Sequence, residues 1–146
     1  MLVLGQQHSP PKFTGAQHCG YFRAVRWLAM GTWDTGPFDN DPATDAVAAL
    51  ADGTFRMDQF RFECGRGPLG AEDAESVIAL AAVLNGHVPA AEQAGALSFP
   101  FTVDDRRWIR RQAAQITRRG GSELYELWEE AGELDQWLAA TRRFAS

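Results

Sequence analysis

The chain has 146 residues, 45% of them hydrophobic and 23% charged, with a formal net charge of −5. A chain of this length buries about two-thirds of its surface on folding, enough for one core, and five Trp within an aromatic content of 11% exclude collagen-like and disordered classes. No run approaches the roughly 18 apolar residues of a membrane span, the acidic balance argues against general affinity for nucleic acid or anionic lipid, and two cysteines, Cys19 and Cys64, make no disulfide framework, which points to a reducing cytoplasm.

The charge is uneven. Residues 1–29 carry Lys12, Arg23 and Arg26 and no carboxylate, and the first acid is Asp34. Taking that +3 from the whole-chain −5 leaves −8 for residues 30–146. Ser9-Pro10-Pro11 reads as irregular chain. Met1-Leu2-Val3-Leu4 is too short for the apolar region of a secretory signal, and sparse Ser speaks against a transit peptide. A third reading takes 1–29 as upstream sequence, non-native or disordered, read from a wrongly assigned start.

The first motif follows at once: Trp33, Gly36, Phe38, Asp39, Asn40, Asp41 and Asp45. Gly36-Pro37 supplies a turn, and Trp33 and Phe38 supply apolar mass to pin the entering chain. Asp41 precedes Pro42, so Asp41 is predicted as the N-cap of a helix with Pro42 at its first position. Asp45 falls near the positive end of the helix dipole. The helix runs through Ala46, Val47, Ala49 and Leu50 to a stop at Gly53. The competing reading makes Asp39, Asn40, Asp41 and Asp45 a site for a hard cation, which takes oxygen ligands. An EF-hand match fails, because Ala43 and Thr44 fall where an acid and a Gly are needed.

This stretch resembles the opening of the bacterial domain-of-unknown-function family 4259, at Trp33, Gly36, Phe38, Asp39, Asn40, Asp41, Ala43 and Asp45. A second motif is similar too: Ser122, Glu123, Leu127 and Trp128 within Ser122–Glu130, followed by Trp137. Asp34 departs from the family's usual Gly, and the span Ala51–Gly70 is short for it. The resemblance implies Met30 as the true start, with residues 30–146 a single helical domain, and it implies no reaction.

Residues 54–64 alternate, with Phe60, Phe62 and Cys64 in one phase and Phe55 and Met57 in the other. That pattern predicts a short strand with a bulge near Asp58, or an extended segment, with a helix as the competing reading. Ala71 to Asn85 is the clearest helix, with acids in its first turn and Gly86 after its end. Beyond Ser76 it is apolar on every face, which places it at the centre of a bundle. The stretch to Pro100, with Pro89 and Gly95, reads as a long loop.

A helix over 104–119 follows, starting near Thr102 or Asp104, with Trp108, Ile109, Ala113 and Ile116 as its core face. Arg106, Arg107, Arg110, Arg111, Arg118 and Arg119 cover the rest of it. After Gly120-Gly121, Ser122 caps a helix carrying Glu123, Glu126, Glu129, Glu130 and Glu133. The two are expected to pair antiparallel with matched charge, which answers the basic helix from within and leaves nucleic acid without a surface. Gly132 interrupts, and a final helix over 134–144 carries Trp137 and Phe144.

The catalytic inventory is thin. His8 and His18 lie in the leader, His87 sits just past a helix end, and Cys64 beside Phe62 reads as a small buried residue. Gly65–Gly70 lacks the lysine of a phosphate loop, and there is no Gly-x-Ser-x-Gly elbow. The expectation is a mainly α bundle of four or five helices, with a short strand or extended segment at 54–64. Its expected function is non-enzymatic protein binding in the cytoplasm, as a regulator or immunity-type inhibitor, with no cofactor, metal, nucleic acid or membrane. The alternative is a small-ligand or metal-dependent enzyme at Asp39, Asn40, Asp41 and Asp45.

Overall fold

The computed structural model describes Thr32 and residues 34–146. The leader 1–29, the start at Met30 and Trp33 lie outside the described residues. Six α-helices follow in order: α1 (Asp41–Asp52), α2 (Met57–Cys64), α3 (Ala71–Leu84), α4 (Val103–Ile116), α5 (Glu123–Ala131) and α6 (Leu134–Ala145). A 3-10 helix, Ala91–Ser98, lies between α3 and α4. Among the described residues there is no strand, only two isolated bridges, Thr32 with Asn40 and Leu69 with Ser122.

α3 is the hub. Ten of its fourteen residues are buried, and α1, α4, α5 and α6 all pack on it. A helix apolar all round has no side to give to water, so the other helices each turn one stripe toward it. α4 contributes Trp108, Ile109, Ala113 and Ile116, as its spacing predicts, and Thr102 closes a capping box with Asp105. α5 contributes Leu124, Leu127, Trp128 and Ala131, and α6 contributes Trp137. Gly53 and Gly132 end α1 and α5 as the sequence predicts. At the far end of α3 the Asn85 side chain donates to the carbonyls of Phe144 and Ser146, at 3.0 and 2.8 Å, and accepts from Arg110 at 3.2 Å. One amide thereby ties the ends of α3 and α6 to α4.

Four expectations are corrected. The class is mainly α, but among the described residues there are seven helices rather than four or five, because two segments read otherwise are helical. Residues 57–64 form a helix and not a strand: Met57, Phe60, Arg61 and Cys64 share one face at helical spacing, and Phe62 breaks the pattern because it points outward. The stretch before Pro100 is a 3-10 helix lying on α1, where Gly95 comes close enough to the backbone of Ala51 that a methyl group would press on the Ala51 carbonyl. Finally, α4 and α5 share few contacts with each other; each lies on α3, and Arg119 meets Glu129 only at 4.0 Å.

The turn between α4 and α5 has a steric cause. A Cβ on Gly121 would collide with the backbone carbonyl of Gln115 and crowd that of Arg118, so only glycine lets the chain pass there. Ser122 then faces both ways. Its hydroxyl donates to the carbonyl of Ile116 at 3.0 Å and accepts the amide of Tyr125 at 3.1 Å, closing one helix and opening the next.

Candidate functional site

The first motif is a local hydrogen-bonded knot at the head of α1. Gly36 N–H donates to the Asp39 carboxylate at 3.0 Å, and Asp39 N–H donates back to the Gly36 carbonyl at 3.2 Å. A side chain at Gly36 would strike that carboxylate, which is why the turn uses glycine. Asn40, not Asp41, is the N-cap: its Oδ1 accepts the Ala43 amide at 2.8 Å, so the helix begins one residue earlier than the sequence reading has it. Asp41 and Asp45 are exposed, and Phe38 is half-buried against the core. Burial, and then the charge of Asp34, raises the Asp39 carboxyl against the lowering pull of the Gly36 amide. The four oxygen-bearing side chains therefore do not converge. Among the described residues no group of three or more His, Cys, Asp and Glu is arranged to hold a metal ion.

The second motif closes onto the start of α3. Glu123 accepts the Ala71 amide at 2.9 Å, capping α3 from a different helix, while its own N–H donates to the Leu69 carbonyl at 3.0 Å. Gly70 provides no side chain for that task. Leu127 and Trp128 are buried, and Trp128 stacks on Trp137 with ring centroids 6.5 Å apart and planes 14° apart.

The two motifs meet across one recess. Asp34, Gly36, Pro37 and Asn40 form one side, Leu124, Trp128 and Trp137 another, and Ile78 and Glu75 of α3 the floor. Glu75 is only 3% exposed and accepts a hydrogen bond from the Thr32 hydroxyl at 2.8 Å. Burial pushes its carboxyl up to about 8, only partly offset by the Thr32 bond, and the charges of Glu72 and Asp41 push the same way. At neutral pH it is therefore mostly an uncharged acid.

Of the sequence-predicted residues, the structure brings Gly36, Asn40 and Trp128 to this recess and leaves Phe38, Asp39, Asp41, Asp45, Ser122, Glu123 and Leu127 outside its lining. Glu75 is the residue that sequence reasoning passes over, reading it as one of three dipole-complementing acids. Its signal was register: Ala71, Ala74, Glu75 and Ile78 stand at the spacing of one buried face, so an acid occupies a core position.

The two other candidates, Cys64 and His87, lie outside this recess. Burial, then Asp73 and Glu63, raises the Cys64 thiol to about 12, which keeps it protonated and a poor nucleophile. His87 donates its amide to the Ala82 carbonyl at 3.0 Å and sets its ring edge-on to Phe144, 5.1 Å away, as part of the α3 terminus.

The fold and this recess define a small, mainly helical protein with two motifs locked around a central helix. Residues 31–140 match the model of the family described as Domain of unknown function (DUF4259), and the chain belongs to that family. No curated protein and no solved structure matches the chain.

Proposed function

We propose that this chain is a non-enzymatic protein-binding module of the cytoplasm, a regulator or immunity-type inhibitor, and that α2 carries its contact surface. The observation behind this reading is Phe62, a large aromatic that is 85% exposed. α2 is gripped from behind: Phe60 meets Trp108 edge-on at 5.9 Å, and Arg61 bonds Asp105 at 3.0 Å while lying over the Trp108 ring at 5.6 Å. Phe55 completes that anchor against Phe60 and Phe99. Holding the helix this way leaves Phe62 outward, and aromatic side chains on a rigid element are the usual anchors of protein interfaces. Val103, at the start of the helix that Arg61 grips, is 65% exposed.

The charge of −8 over residues 30–146 argues against a nucleic acid or an anionic membrane as the partner. Part of the basic face of α4 is engaged within the chain, through Arg110 on Asn85 and Arg107 near Asp104 at 3.8 Å. Among the described residues no helix is long and apolar enough to cross a membrane. An enzyme built on Asp39, Asn40, Asp41 and Asp45 has less support, since the first two serve the local turn and cap and the last two face outward. The test is Phe62→Ala in the full chain: partner recovery falls at least tenfold while the melting temperature stays within a degree or two. Equal recovery by both proteins would remove α2 from the account.

A further inference from the structure

We propose that Glu75 is a proton-dependent latch that holds Thr32 and the segment 34–40 over the recess. The segment is not part of any helix. It is fastened by the Thr32 hydroxyl on Glu75 at 2.8 Å, by the bridge of Thr32 with Asn40, and by the Gly36–Asp39 turn. Beneath it, α3 is fixed by four other helices. If the floor acquires a charge, the covering segment, which lies in no helix, is the part expected to give way before α3 does.

The described charges that act on Glu75, those of Glu72 and Asp41, make its ionisation harder, and the third charged group at the recess, Asp34, is no cation. Asp34 comes from the segment, Asp41 from α1 and Glu72 from α3 itself, and all three are acids. α5 and α6 contribute only Leu124, Trp128 and Trp137 to the walls. With the segment closed, the carboxyl keeps its proton up to about pH 8. With the segment lifted, water reaches it and it ionises in the ordinary carboxylate range, near 4.5. Opening therefore releases one proton across the interval between those values, and it becomes up to about tenfold easier with each pH unit. This device stands apart from α2 and does not depend on the partner proposed for it.

Hydrogen exchange of the full chain between pH 6 and 8, corrected for intrinsic chemical exchange, reads the latch directly. The amides of Gly36, Asp39 and Ala43 report the segment and its cap, and the amide of Leu80 reports global unfolding. The expected result is segment protection at least tenfold below that of Leu80, falling by up to about tenfold per pH unit, with the slope gone in Glu75→Gln. Thr32→Val is the second variant: it keeps the slope and lowers segment protection at every pH. The latch is overturned if the segment amides open only together with Leu80. It is equally overturned by a slope that persists in Glu75→Gln, or by Thr32→Val leaving protection unchanged.

Discussion

The segment Asp34–Asn40, taken with Thr32, and helix α2 are both short pieces laid against the same bundle, and they turn opposite things inward. In the segment, oxygen atoms point into the protein: Asp39 closes its own turn, Asn40 caps α1, and Thr32 reaches down to a buried acid. In α2, one face holds Phe60 and Arg61 against α4 while Phe62 is left in water. The contrast separates two kinds of signal. A motif that marks a family can be explained by what folding needs at a helix start, while the surface proposed to meet a partner is carried by residues outside the motif.

Two carboxylates make the same contrast in charge. Glu75 has no described cation near it, and burial raises it to about 8. Asp105 also loses some solvation, but the Thr102 amide and the Arg61 guanidinium outweigh that and hold its carboxyl below the ordinary value of 3.8. The signs follow. Glu75 binds its proton more tightly in the fold than in the open chain, so its contribution to stability is complete below about pH 4.5 and is lost as pH rises through about 8. Asp105 contributes above about 3.8 and loses its contribution in acid.

The largest expected effect comes from Glu75. Between pH 4.5 and 8 the wild type loses up to roughly 5 kcal/mol relative to Glu75→Gln, which urea denaturation of both proteins across that range would measure. A constant difference would place the carboxyl in ordinary solvation. Next comes Gly121→Ala, which forces a methyl group into the carbonyl of Gln115 and costs about 3 kcal/mol by the same assay. An Asn40→Ala protein loses the cap on α1 and about 1 kcal/mol. The smallest stability change belongs to Phe62→Ala, within about 0.5 kcal/mol, because that ring touches little of the core.

Much of the bundle was legible from periodicity and punctuation. α3, α4, α5 and α6 announce themselves because apolar residues recur at helical spacing between residues that stop helices, and α1 does so through its acidic start and Gly53. α2 did not, because Phe62 is apolar and exposed: the residue that gives α2 its proposed role also disguised its period as alternation. The 3-10 helix was hidden by Pro89, Gly95 and Pro100, which read as loop although small residues there let the chain lie against α1. Pairing by charge misled at α4 and α5, since exposed ion pairs are weak and the apolar face of α3 decides where both helices lie. At the site, the motifs were visible but their meeting point was not, because Glu75 belongs to neither and its role depends on contacts far apart in sequence.

In the proposed reading the motif serves the fold and α2 serves recognition. The most direct measurement compares wild type, Asn40→Ala and Phe62→Ala as full chains, scoring melting temperature and quantitative partner recovery from the native host in parallel. Asn40→Ala is expected to melt several degrees lower and retain its partner, whereas Phe62→Ala is expected to melt like wild type and lose at least nine-tenths of it. A stable Asn40→Ala protein that loses the partner, beside a Phe62→Ala protein that keeps it, would contradict the account.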